Sequence, residues 1–185
     1  MSTESKKIAV MIGPPGVGKN TIGDLINRKI RGFCCLDGDS FISPTGVIRL
    51  QTGLWSDDDR REYLSLMATG VTERANNGEK IVIADAMTTK WMREFFENRV
   101  REQGNFVLAW ILVTRQFEEG EVEKMIAERA AAGHPMNSLA VFHKYFNAFE
   151  TIEQNHLTLQ NPGPRAGEKA LLTQTAKILS QVYER

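Results

Sequence analysis

Apolar positions along the chain fall into two alternating kinds of run. Short, nearly unbroken ones, from Lys6 or Lys7 to Ile12, Phe33 to Leu36, Lys80 to Ala84, Asn105 to Val113 and His156 to Leu159, have the length and density of β-strands covered on both faces. Between them, apolar residues recur at helical spacing. In Gly18 to Arg31 the stripe is Ile22, Leu25, Ile26 and Ile30, and Gly32 stops it. Ser56 followed by Asp57, Asp58 and Asp59 reads as an N-cap with an acidic first turn. Leu64, Met67, Ala68, Val71 and Ala75 then share one face until Asn76-Asn77-Gly78. Thr88 to Gln103 is predicted helical, with Trp91, Phe95 and Val100 facing inward and Gly104 closing it. Phe117 to Ala132 and Ser138 to Glu150 are two more predicted helices, and Leu171, Leu172, Ile178, Leu179 and Val182 mark a terminal one. Ser40 to Leu54, with Pro44, Gly46 and Gly53, reads as partly irregular with a short helix around Val47 to Gln51.

Strands alternating with helices predict a three-layer α/β/α unit around a five-stranded parallel sheet with right-handed crossovers. The run FVLAWILV is apolar enough to be placed in the middle of that sheet. With 185 residues, 42% of them hydrophobic, the chain supplies one ordinary core, so a single domain over 1–185 is expected. Lys plus Arg and Asp plus Glu both number 23, so the formal net charge is zero and nothing chain-wide attracts nucleic acid or an anionic membrane. Any anion must therefore be gripped locally. Cys34 and Cys35 are adjacent, which suits neither a disulfide framework nor a four-ligand zinc site. MSTESKK leads into an apolar run too short for a signal peptide, and no stretch approaches the about 20 apolar residues of a membrane span, so a soluble, cytoplasmic protein is expected.

The local grip is Gly13-Pro14-Pro15-Gly16-Val17-Gly18-Lys19-Asn20-Thr21, between the first strand and the first helix. It fits the phosphate-binding loop GxxxxGK, so a P-loop nucleotide-binding fold, ATP and Mg²⁺ are expected. The glycines let successive backbone N–H groups point inward at phosphate oxygens, Lys19 adds a mobile positive charge, and the helix start favours the anion. Ser or Thr is usual after the lysine, where its hydroxyl meets the metal, but here Asn20 stands there with Thr21 next. Either Asn20 supplies that oxygen, or Thr21 shifts in, or the metal is held more loosely.

Asp37-Gly38-Asp39 ends the second strand on the same edge as the loop, where ligands of parallel sheets bind. A carboxylate there takes a proton from a substrate hydroxyl or holds metal-bound water; the alternative is an ordinary Asp-Gly turn. Asp85 ends the third strand after IVIA, either backing the magnesium or capping the next helix. Arg60 and Arg61 follow three aspartates, so one of them reaches an anionic substrate or both belong to a solvated salt-bridge face. Arg115, Lys124 and Arg129 precede Gly133-His134-Pro135, where a mobile cover would bring cations to a transferring phosphate. Arg129 is the best placed of them, while His134 reads as a turn or lid residue before a base. Mobile parts are expected at about 40–60 and 129–140.

From Ile8 to about Glu150 the chain resembles the gluconate kinase family of small P-loop kinases. The likeness rests on the GxxxxGK loop, on LDGD at Leu36 to Asp39, and on Gly53 with SDDDRREYL at Ser56 to Leu64, against the family's G-x-x-L-x-D-x-D-R-x-x-W-L. It also rests on Gly133-His134 before a helix ending in F-x-x-x-x-x-F-E. The resemblance implies ATP-dependent phosphorylation of a small sugar acid such as gluconate, with Lys19 on the β/γ phosphates, Asp39 at the acceptor hydroxyl and Arg60 at the substrate. It further implies a lid around Gly133-His134 and the Asn161-Pro162-Gly163 turn beside the adenine. Departures include Asn20, Ser43-Pro44 where His-Pro is usual, Ala84-Asp85-Ala86 for Cys-Ser-Ala, and Ala131 where an arginine stands. Shikimate and nucleoside monophosphate kinases are rivals on the same fold, and a nucleotide-binding protein with little catalysis is a reading from another class. The expected partner is a small anionic acceptor, with no nucleic acid and no membrane, and a homodimer is allowed.

Overall fold

A computed structural model of the chain describes residues 5–132, 138–163 and 167–184. The sheet grows outward from β1 (Lys6–Ile12), whose residues Ile8 to Ile12 are sealed from water. Ile8, Val10 and Ile12 point to one face and Ala9 and Met11 to the other, as the two-residue period of a strand dictates. Beside it lie β3 (Lys80–Ala84) and β4 (Phe106–Arg115), then β2 (Phe33–Asp37) and β5 (His156–Asn161) at the edges. The order is β2-β3-β1-β4-β5 and every pairing is parallel. The expected α/β/α architecture and five-stranded sheet are thus present.

β1, and not β4, occupies the middle. β4 is internal, but β5 pairs with it only from Trp110 onward, so its first residues have a neighbour on one side alone and Val107 is 48% exposed.

One face carries α3 (Asp57–Asn76) and α4 (Lys90–Glu102), which bury Leu64, Met67, Val71 and Phe96 against Ile8, Val10, Ile81 and Ile83. The other carries α1 (Lys19–Lys29) and α7 (Gly167–Tyr183), with Ile22, Leu25, Ile26, Leu171 and Leu179 on Ala9, Met11, Val82 and Leu159. Each core sits between a sheet face and two amphipathic helices. Near the end of α7 the Tyr183 hydroxyl accepts from Ala9 N (3.2 Å) and donates to Ile81 O, bridging β1 and β3. Its burial pushes its ionisation up to about 12.

The remaining helices start where side chains fix them. α2 (Pro44–Gln51) begins earlier than expected because Ser43 Oγ accepts Gly46 N at 3.1 Å and Pro44 sits at the first helical position. α5 (Glu121–Ala131) begins later, since Phe117 packs edge-on against Phe142 and Phe146 of α6 (Leu139–Asn147). On α4 the inward residues are Met92, Phe96 and Val100, whereas Trp91 and Phe95 lie on the rim under the Arg61 guanidinium at 5.3 and 5.4 Å. Among the described residues no helix is long and apolar enough to cross a membrane.

Candidate active site at the carboxyl edge of the sheet

Parallel strands release their chain ends along one edge, and there the loop 13–18 leaves β1. Two glycines of it are enforced by neighbours. A Cβ on Gly13 would lie 2.5 Å from Val113 O, and one on Gly18, whose φ is 94°, would lie 2.3 Å from Asn161 Nδ2. Asn161 is buried; its amide donates to Val17 O (2.7 Å) and accepts from Gly163 N (3.0 Å). Expected beside the adenine, this side chain braces the loop. α1 starts at Lys19 with no side-chain cap, so the N–H groups of its first turn remain for an anion.

Lys19 folds back over the loop, its ammonium donating to Gly13 O (2.7 Å) and Pro14 O (3.0 Å). Burial lowers its pKa to about 8, opposed by Asp85, Asp39 and Asp37 and reinforced by Arg129. The fold therefore brings Lys19, Asp37, Asp39, Asp85 and Arg129, from four different segments, within electrostatic reach of one another.

Asp37 organises the β2 side. Its Oδ1 accepts Asp39 N (3.1 Å) at the start of a 3-10 turn, Gly38–Phe41, and its Oδ2 accepts the Asn20 amide (2.8 Å). The asparagine that replaces the usual hydroxyl is thus tied to the strand carrying the candidate base. Thr21 opens instead onto a cavity of about 280 Å³, lined also by Arg115, Asn161, Gly163 and Leu171. Arg115 is held there by Glu121 and lies 5.3 Å over the Phe117 ring.

Asp85 is buried, and it does not cap the next helix, which starts at Lys90 after Thr89. Its backbone N donates to Met11 O (3.0 Å), setting it beside the root of the phosphate loop. Its Oδ1 accepts Met87 N (2.8 Å) and its Oδ2 accepts the Tyr63 hydroxyl. Burial raises its pKa to about 6, against the Tyr63 hydrogen bond, with the charge of Asp39 adding to the rise. Burial beside Asp85 likewise pushes Tyr63 well above the ordinary phenol range. A Cβ on Gly38 would sit 2.2 Å from Asp85 Oδ2 and 2.7 Å from Tyr63 Oη, so only glycine lets the turn cross this pair.

Among the described residues no group of three or more His, Cys, Asp or Glu forms a metal cage. The donors at hand, the Asn20 amide oxygen, the Thr21 hydroxyl and Asp85, are hard oxygens. They fit magnesium that keeps water and phosphate as its other ligands. A buried carboxylate with a raised pKa, facing a second one, is also what a cation would relieve.

Arg60 forms an ion pair with Asp57 at 2.9 Å, an i,i+3 arrangement on the first turns of α3. Arg129 lies half-buried near the end of α5, and burial lowers its pKa. Lys124 and Ala131 are exposed, and His134 lies outside the described residues.

Sequence reasoning missed two residues here. Tyr63 entered only as a letter of the SDDDRREYL motif, where it occupies the tryptophan position of the family pattern. Arg93 is fully buried; it donates to Met87 O (2.9 Å) and Thr151 O (3.0 Å), gripping the loop after β3, where Met87 has a positive φ of 35°. No sequence signal marks it, because a lone arginine on a helix normally reads as exposed.

A glycine-bent loop between the central strand and a helix, on a sheet of order β2-β3-β1-β4-β5, is the arrangement of the P-loop kinase fold. Solved structures bear this out. A sugar kinase from a Janibacter species aligns with a TM-score of 0.70 at 19% identity, over 97% of this chain and 96% of its own. A gluconokinase from Sinorhizobium meliloti gives 0.65 at 18%, over 98% of each. The Mycobacterium tuberculosis APS kinase in complex with AMPPNP and APS gives 0.65 at 17%, over 96% of this chain and 99% of that one. No protein-family model matches the chain, and no curated protein does. At such identities the likeness carries the fold.

Proposed function

We propose that the protein is an ATP-dependent kinase that phosphorylates a hydroxyl of a small molecule, with a sugar acid such as gluconate as the acceptor class. The observation that carries this reading is Lys19, half-buried on the loop with its ammonium on two main-chain carbonyls and within electrostatic reach of Asp39 and Asp85. The gluconokinase and APS kinase folds support it, the latter with a nucleotide analogue bound.

In this reading the amides of the loop and the Lys19 ammonium, released from Gly13 O and Pro14 O, hold the β and γ phosphates. The nucleoside end takes the cavity lined by Thr21, Arg115 and Gly163. Asp39 accepts the proton of the acceptor hydroxyl as its oxygen attacks the γ phosphorus. The bond to the β–γ bridging oxygen breaks, and ADP leaves with that electron pair. Magnesium would arrive with the nucleotide; Asn20, Thr21 and Asp85 are the residues that would hold it or its waters, and it would supply positive charge to the phosphates. Arg129 adds positive charge from the lid side. An exposed ion pair such as Arg60–Asp57 contributes little, so Arg60 is readily given up to an acceptor carboxylate.

The rival reading, a nucleotide-binding protein with little transfer, draws on the Asn20–Asp37 bond, which ties down the residue standing where a hydroxyl is usual. ADP release measured with sugar acids, shikimate and nucleoside monophosphates separates the two. Turnover with a member of the panel, lost by about 100-fold or more in Lys19→Ala while the fold survives, is the expected result. ATP binding without turnover of any acceptor would favour the rival.

A further inference from the structure

Lys19 and Asp85 pose a problem that the fold has to solve. Asp85 rises beside the root of the loop, because its backbone N is bonded to Met11 O, and Lys19 curls back onto Gly13 O one turn of chain away. Of the carboxylates around the Lys19 ammonium, Asp85 acts on it most strongly. Opposite charges with little water around them attract far more than they do at a surface. Yet the two form no ion pair among the described residues, and the ammonium rests on neutral carbonyls instead.

What keeps them apart is visible in the bonds of Asp85. Oδ1 takes Met87 N (2.8 Å) and Oδ2 takes the Tyr63 hydroxyl, while Gly38 closes over the pair. The Tyr63 ring is in turn fixed edge-on to Trp55, with centroids 6.3 Å apart. We propose that Tyr63 is a positioning residue, holding the Asp85 carboxylate off Lys19 so that the ammonium stays available to a triphosphate. The claim rests on the kinase reading for the role of Lys19.

Without the Tyr63 hydroxyl, one Asp85 oxygen is left buried with no donor, and Lys19 is the cation whose charge acts on Asp85. A lysine locked in a buried pair is lost to phosphate.

The test uses ATP titrated calorimetrically into the full chain in EDTA, so that any metal-holding role of Asp85 drops out. Tyr63→Phe keeps the ring against Trp55, and thermal melts check its fold. This variant is expected to bind ATP about tenfold more weakly than the parent. Tyr63→Phe combined with Asp85→Asn, which removes the competing charge, is expected to restore binding to within about twofold. A ligand-free crystal structure of Tyr63→Phe is expected to show Asp85 paired with Lys19. Parental affinity in Tyr63→Phe, a double variant as weak as the single one, or an Asp85 that stays in place in that crystal would each overturn the proposal. If the parent itself binds no ATP, the kinase reading falls, and the Asp85 position in the crystal still decides whether Tyr63 holds it.

Discussion

Asp85 is held out of water, and its position has a stability cost that depends on pH. Its pKa is raised from the ordinary 3.8 to about 6, so between those values the native state binds the proton that the unfolded chain releases. Stability therefore falls as pH rises through this window and then levels off. Asp85→Asn, which keeps the shape and can still meet Tyr63 and Met87 N, should raise Tm more at pH 8 than at pH 5. The difference is expected to be about 1 kcal/mol, and thermal melts of both proteins at the two pH values measure it. Equal gains at both would mean that the Asp85 pKa is not raised in the native state. This residue was legible in the sequence because a carboxylate after IVIA, on a strand buried on both faces, must sit at the ligand edge. Tyr63 was not legible, since its hydroxyl matters only through a partner that chain order places far away. Arg93 was hidden by the opposite bias, which assigns charged helix residues to the surface.

At the level of elements, the joint between α2 and α3 is the best-defined part of the expected substrate segment. Ser56 Oγ accepts Asp59 N (3.2 Å), and Asp59 Oδ2 accepts Ser56 N (2.9 Å) and the Ser56 hydroxyl (2.6 Å). Arg49 of α2 reaches Asp59 Oδ1 at 2.5 Å. The Ser56 hydrogen bonds, ahead of Arg49, pull the Asp59 pKa from 3.8 down to about 2. A depressed carboxyl stabilises above its unfolded value and loses that contribution as pH falls through its folded one. Loss of the N-cap hydrogen bond to Asp59 N in Ser56→Ala should cost about 1 kcal/mol at neutral pH. The Tm difference between parent and Asp59→Asn should shrink as pH falls from 4 to 2, and a constant difference there would rule out the charged cap. The acidic first turn of α3 was readable because capping is local chemistry. Helix starts set by distant contacts were not: α5 begins after Phe117 has packed on α6, and α4 turns Phe96 inward where Phe95 was expected. Adjacent aromatics in WMREFFENRV fit either register until a sheet is laid against them.

Across the whole molecule, Arg93 joins parts that sequence keeps well apart. It donates to Met87 O after β3 and to Thr151 O in the stretch leading from α6 to β5, and Glu150 N donates to Thr88 O (2.8 Å) beside it. The root of the α5–α6 arm is thereby fastened to the edge that carries Asp85. Arg93→Met should destabilise the protein by about 3 kcal/mol and speed hydrogen exchange in residues 148–155 more than in β1. Uniform acceleration would deny the clamp. The layered architecture was legible because continuous apolar runs alternating with amphipathic ones admit few other solutions. The rank of β1 over β4 was not, because it depends on where β5 starts to pair. Tyr183 reaches in from α7 to bridge Ala9 and Ile81, so the seam between two inner strands takes a bond from a residue 102 positions beyond Ile81. A chain on which α7 has not yet docked holds β1 and β3 by their own ladder alone, one crosslink short of the native seam.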